Sequence, residues 1–169
     1  MNARKKFDRT TALMRFSAIL PAVQRGYRAA ADKALAPLGL SQASAWPLLT
    51  ISRMGEPVRQ GVLADVLGIE GPSLARTIEQ LCVAGLATRR DDPVDRRARS
   101  LHLTEAGHAV AERIESALDE VRRALFEDVA DGDLETCLRV FGQLGNRIGG
   151  SMPAIVPRRV RAPEQAESS

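Results

Sequence analysis

Apolar residues at three- and four-residue spacing run through most of the chain, and the breaks between them mark out successive helices. From about Thr10 to Leu38, residues such as Leu13, Phe16, Leu20, Val23, Tyr27, Ala31 and Leu35 hold helical spacing. Pro21 falls inside this pattern. It is expected to kink the helix or divide it near Ala18, because its ring removes a backbone donor and crowds the preceding turn. Pro37 and Gly39 end the stretch. Ser41 is a good N-cap for a second helix reaching Met54, with Ala45, Leu48, Leu49 and Ser52 along one face. Gly55-Glu56-Pro57 is a break. Much later, Thr104 is placed to cap a long helix whose stripe is Val110, Ile114, Ala117, Val121, Leu125 and Val129. Asp131-Gly132-Asp133 is read as breaking it, and Leu134, Leu138, Phe141, Leu144 and Ile148 define a last helix.

The stretch from Gln60 to Thr104 has a different character. Gln60 to Ile69 is a short helical pattern with Leu63, Val66 and Leu67 inward, Ala64 small enough for a close helix crossing, and Gly68 where a tight turn needs a positive φ. Pro72 suits the first turn of the next helix, in which Leu74, Ile78, Leu81, Cys82 and Leu86 share one face. Ser73, Arg76, Thr77 and Gln80 share the opposite face, flanked by Glu79. Arginine reads guanine edges, glutamine reads adenine, and hydroxyls suit phosphates or base edges. Taken alone, this helix fits an ordinary amphipathic helix with a solvated face equally well. The short helix and glycine turn before it favour a helix-turn-helix.

After the helix, Leu86 to Asp91 and Arg99 to Leu103 read as two short strands, with Leu101 and Leu103 alternating against Ser100 and His102. Between Arg89 and Arg99 the chain carries five arginines (Arg89, Arg90, Arg96, Arg97, Arg99) against three aspartates. A hairpin of this kind beside a helix-turn-helix is a wing, whose arginines can lie along phosphates or enter a narrow minor groove. Arg96 and Arg97 are the candidates for the minor groove, and Arg89, Arg90 and Arg99 for phosphates. Asp92 and Asp95 are expected to brace the loop by pairing with these arginines, since a bare carboxylate would repel DNA.

Asp92-Pro93-x-Asp95-Arg96-Arg97 followed by Leu103-Thr104-x-x-Gly107 resembles the wing signature of the MarR family of bacterial transcription regulators. Ile69 to Thr77, continuing through Gln80-Leu81, is especially similar to the SlyA branch of that family. The resemblance spans about residues 10 to 150. It implies a mainly α fold with a small β-hairpin wing, and a short edge strand at Val58-Arg59. It also implies a homodimer formed through the first and last two helices, and a pseudo-palindromic double-stranded DNA operator. The resulting division is a basic lead (1–9), an N-terminal dimerisation helix (10–40), a winged helix-turn-helix lobe (41–104), C-terminal dimerisation helices (105–150) and a flexible tail (151–169). A crevice between dimer helices and winged lobe, which binds small aromatic carboxylates in such proteins, is also implied. Trp46 is a candidate wall for it, and Arg15 or Arg25 a candidate carboxylate partner. Ordinary packing for Trp46 and surface charge for the arginines are the competing readings.

Composition narrows the remaining classes. The net charge of +3 over 169 residues permits nucleic-acid binding and fits one domain with a genuine core. No stretch has the ~20 apolar residues of a membrane span, and no signal-peptide core follows the basic start, so a cytoplasmic protein is expected. Cys82 and Cys137 both fall on apolar helical faces and read as buried structural cysteines rather than redox sensors. Peroxide-sensing relatives use a first-helix cysteine, which this chain lacks. His102 and His108 have no third ligand nearby in sequence, so no metal is expected, nor any other cofactor. No nucleophile-and-base pair, phosphate loop or zinc motif is present, which argues against an enzyme. The leading function is a repressor of nearby genes released by a small aromatic or phenolic carboxylate. An architectural or counter-silencing A·T-rich DNA binder is the alternative, and a winged-helix protein-interaction module a further one.

Overall fold

A computed structural model describes residues 8–91 and 99–149. The described residues form six α-helices and a small antiparallel sheet: α1 (Arg9–Leu35), α2 (Gln42–Met54), α3 (Gln60–Leu67), α4 (Gly71–Val83), α5 (Glu105–Leu125) and α6 (Asp131–Ile148). The strands are β1 (Val58–Arg59), β2 (Ala87–Asp91) and β3 (Arg99–Leu103), in the order β1-β3-β2. Val58 pairs with Leu101, and Ala87 with Leu103, so the hairpin predicted for the wing gains the third, edge strand. This is the mainly α, winged architecture that the sequence leads one to expect.

The local signals act much as their chemistry dictates. Ser41 and Ser44 form a capping box at the start of α2. The Thr104 hydroxyl accepts the Gly107 N–H at 3.0 Å and so caps α5. Two expectations are corrected. α1 runs through Pro21 and does not divide near Ala18. Proline withdraws one N–H from the ladder, but the stretch around it is exposed, so water can satisfy the carbonyl left behind. The second correction concerns the acidic run. α5 stops at Leu125, which removes Val129 from its stripe, and Asp131-Gly132-Asp133 opens α6 instead of breaking a helix. Asp131 and Asp133 sit in the first turn of α6, where a carboxylate meets the positive end of the helix dipole.

The core gathers on α2, whose Ala45, Pro47, Leu48, Leu49 and Ile51 are buried and which packs against α1, α3, α4, α5 and β3. Leu35 from α1, Leu63 from α3, Leu74 and Ile78 from α4, and Ile114 and Leu118 from α5 complete it. α6, by contrast, buries none of its residues. It meets α1 through the rings of Phe16 and Phe141, 5.9 Å apart.

Polar contacts also hold the helices to the sheet and to one another, and two arrangements stand out. Where α4 ends, Gly85 takes a φ of 71°, and Leu86 N–H donates to the Leu81 carbonyl at 2.9 Å. The Gly85 carbonyl accepts the Thr104 hydroxyl at 2.6 Å, and the Leu86 carbonyl accepts the Thr104 N–H at 3.1 Å. The first turn of α5 then presses on this corner so closely that a Cβ at Gly107 would lie 1.9 Å from the Leu86 carbonyl oxygen. The second arrangement centres on buried Glu115 of α5. Arg53 of α2 clamps it with both ends of its guanidinium, Nε to Oε2 at 2.9 Å and Nη2 to Oε1 at 2.5 Å. Arg122 adds a contact at 3.2 Å and also engages Asp119 and Tyr27 of α1.

Gly107→Ala should destabilise the fold by about 1–3 kcal/mol through overpacking against immovable backbone, read as a lower urea midpoint. An unchanged midpoint would contradict the close approach. Burial alone raises the Glu115 carboxyl, but hydrogen bonds and charge from Arg53 and Arg122 outweigh it and hold the carboxyl below its ordinary range. A depressed carboxylate contributes stability above its unfolded-state value and loses it as pH falls through the folded one. Glu115→Gln should therefore cost about 1–3 kcal/mol at neutral pH. The gap from the wild type should narrow as pH falls below about 4. A gap independent of pH would show that the charge is not what matters.

Candidate nucleic-acid interface

α3 and α4 are joined by the turn that the sequence indicated. Gly68 sits at φ 62°, and Ile69 N–H reaches back to the Ala64 carbonyl at 3.1 Å. Ala64 is itself nearly buried where the two helices cross. α4 is anchored by Leu74, Ile78 and Leu81, which leaves its other face outward. Ser73, Arg76 and Gln80 are exposed on that face. Thr77 is half-buried, and its hydroxyl donates to the Ser73 carbonyl at 3.3 Å, a bond within the helix that leaves its methyl as the group most readily offered. No carboxylate occupies the first turn of α4. The four positions proposed for reading therefore form one surface, three of them fully open.

The sheet brings further arginines beside it. Arg90 and Arg99 are exposed on β2 and β3. Arg89 is only partly exposed, and its Nη2 donates to the Ala75 carbonyl of α4 at 3.0 Å, while its Nε is buried with no hydrogen-bond partner. Arg89 thus ties β2 to the middle of α4. Arg59 of β1, which sequence reasoning considered only as part of an edge strand, pairs with Ser100 of β3. Arg59, Arg89 and Arg99 line one cleft of about 670 Å³ together with Gln60, Gly61, Val62, Asp65 and Ala75. The only earlier signal for Arg59 was its place after a possible strand; its neighbours come from residues forty positions away. Arg96, Arg97, Asp92 and Asp95 lie outside the described residues.

The other candidates do not converge in the same way. Trp46 is half-buried and packs against the core. Arg15 and Arg25 are exposed on α1, ten residues apart, or about 15 Å along the helix axis. None of the three lines the arginine cleft or the second described groove, an apolar one of about 420 Å³. That groove is bounded by Phe16, Ile19, Leu20, Val23, Gln24 and Tyr27 of α1 and by Phe141 of α6. Cys82 is half-buried on α4, but Cys137 is exposed, which corrects the expectation of a buried cysteine there: α6 buries none of its residues.

A helix-turn-helix, a three-stranded wing and long terminal helices in this order have counterparts among known proteins. Residues 38–98 match the model of the MarR family. A mutant MarR from E. coli, complexed with operator DNA, superposes with a TM-score of 0.71 over 82% of this chain and 99% of that one, at 19% identity. The fold is the MarR winged-helix fold. A MarR transcriptional regulator from Methanosarcina mazei Go1 is 25% identical, with a TM-score of 0.67 over 80% of this chain and 98% of that one. CouR from Rhodococcus jostii RHA1, bound to p-coumaroyl-CoA, is 22% identical with a TM-score of 0.66, covering 76% and 90%. The matched segment runs from just before α2 to the residue before β3, and so contains all of α4 but not Arg99.

Proposed function

We propose that the protein is a MarR-family transcription regulator that binds double-stranded DNA as a homodimer. The observation that carries this reading is the exposed Ser73–Arg76–Gln80 face of α4, set by the Arg89–Ala75 bond beside a cleft of three arginines. Thr77 completes the reading face. Arg89, Arg90 and Arg99 serve phosphates, with Arg89 also holding the wing, and Arg96 and Arg97 serve the minor groove. Phosphate contacts position a protein and base contacts specify its site. Operator DNA bound to the E. coli relative supports the same use of the fold.

The dimer has a physical motive. α1 exposes Leu13, Met14, Ile19 and Val23, and α6 exposes Leu138 and Ile148, all more than half accessible. An apolar surface of this extent normally meets a partner. Joining two copies there would set two α4 helices on successive major grooves, favouring a pseudo-palindrome with half-sites ~10–10.5 bp apart. Repression of nearby genes, relieved by a small aromatic or phenolic carboxylate, completes the reading. Its support is the aromatic acyl ligand of CouR, and Trp46, Arg15 and Arg25 are the residues to test. A SlyA-like architectural role is the second reading, favoured by the sequence of α4.

Selection of binding sites from a random duplex pool should recover one pseudo-palindrome, which also provides the operator for screening aromatic acids. Broad A·T-rich enrichment would favour the architectural role, and no enrichment by a folded dimer would overturn DNA binding. On the selected site, Arg76→Ala should cost roughly 1–3 kcal/mol and relax specificity at one position, whereas Arg97→Ala should weaken all sequences more evenly. Equal losses on all sequences for both would refute that division of labour. Phe141→Glu, a change in the apolar groove outside the buried core, should turn the dimer into folded monomer by analytical ultracentrifugation. A variant that stays dimeric would place the interface elsewhere.

A further inference from the structure

Thr77 is set apart from Ser73, Arg76 and Gln80 by its burial and by what its hydroxyl does. It is half-buried where they are exposed. Its hydroxyl donates to the Ser73 carbonyl, one turn back along α4, at 3.3 Å. A threonine in a helix divides between two side-chain rotamers, because its oxygen can bond a carbonyl three or four residues back. The bond to Ser73 selects one of them, and so sets the methyl group as well as the hydroxyl. Ser73 precedes Thr77 by four residues and Gln80 follows it by three, so the three side chains stand in one row along the helix. Arg76, about 100° round the axis from Thr77, flanks that row.

The row therefore reads hydroxyl, methyl, amide. Threonine has one proton to give, and here it goes to the helix itself. To serve a base or a phosphate as a donor, the hydroxyl would first have to release Ser73. The methyl gives up nothing when it is covered, and covering it removes apolar surface from water. In the major groove every base pair presents hydrogen-bond donors and acceptors, but thymine alone adds a methyl group, on C5. An apolar group held between two polar ones thus has one good match there.

We propose that Thr77 is a specificity-determining residue that selects a thymine in each half-site by packing its γ-methyl on the C5 methyl of the base. The inference rests on the DNA-binding reading and adds to it the atom that reads and the base that is read. Ser73 and Gln80, on either side of Thr77 in the row, fall over neighbouring base pairs. The thymine consequently lies inside the segment that α4 spans. The C5 methyl projects only into the major groove, so this preference belongs to α4 and is separable from contacts that the wing arginines make to phosphates or the minor groove.

The test takes the selected operator and replaces its thymidines one position at a time with deoxyuridine. This removes the C5 methyl and leaves every hydrogen-bonding group in place. Binding of the full chain is measured by fluorescence anisotropy at one fixed salt concentration. At one position in each half-site the change should weaken wild-type binding about fourfold, and about fifteenfold when both half-sites are changed. Thr77→Val keeps a methyl and discards the hydroxyl, and should retain that penalty. Thr77→Ser keeps the hydroxyl and discards the methyl, and should bind the thymidine and deoxyuridine operators equally. Matched circular dichroism of the three proteins removes loss of folding as a cause. The opposite pattern, with the penalty kept in Thr77→Ser and lost in Thr77→Val, overturns the proposal. An operator indifferent to deoxyuridine at every position also overturns it, and leaves the DNA-binding reading standing. A folded dimer that selects no site at all overturns both.

Discussion

The corner at Gly85 and Leu86 is the constraint on which the rest of the interface depends. In two residues the chain ends the reading helix and starts the wing, and the same two carbonyls receive Thr104, where α5 begins. Backbone carbonyls cannot move aside as side chains can, so the 1.9 Å approach at Gly107 fixes α5 against this corner by exclusion of volume. The Leu103-Thr104-x-x-Gly107 pattern thus has a physical reading. Threonine caps one helix while gripping the end of another, and glycine lets the two backbones meet. α4, the β2–β3 hairpin and α5 share one origin, and their mutual angles follow from it.

Around that corner the molecule separates two surfaces that need different partners. The α4 face and the arginine cleft are polar and positive, suited to a phosphate-lined groove whose affinity falls with salt. The α1 and α6 face is apolar and gains by hiding from water. α2 stands between them with its buried stripe, and this is why a chain of modest size can expose both without losing its core. The arrangement favours an assembly in which the apolar faces join and the polar ones point outward.

The elements with short-range causes were legible in the sequence. Ser41, Gly68, Pro72 and Thr104 act within four residues of where they stand, and each holds the role its chemistry suggests. Which residues share the outer face of α4 was equally legible, because helical spacing alone decides it. What failed depended on solvent or context. Pro21 is tolerated because its helix is exposed there, and the Asp131 run starts a helix because its charges meet a favourable dipole. What was invisible depended on distance along the chain. Arg53 finds Glu115 sixty-two residues away, Arg89 finds the Ala75 carbonyl of α4, and the two histidines find their third group in Glu56. A sequence read by spacing had no means of bringing Glu56 to His102, because strand pairing and the α2–β1 turn do that together.

These distant pairs have a common address. Arg53 and Glu56 lie three residues apart at the end of α2, and each joins that end to α5, one through Glu115 and the other through His108. Glu56 continues the connection into β3 through His102 and the Leu103 N–H, while Arg122 and Tyr27 extend the other branch to α1. The wing root is therefore bonded to the same helix that leads to the apolar face. A change in the setting of α5 against α2 must alter both branches together, since interfaces as tightly packed as this one move between discrete arrangements rather than deforming smoothly. Any ligand, proton or partner acting on DNA affinity from a distance has to bind the two arrangements unequally. Among the described residues, the end of α2 is a place where α5, the sheet and the buried charges meet, so an inequality of that kind has a route through it from the helices to the strands.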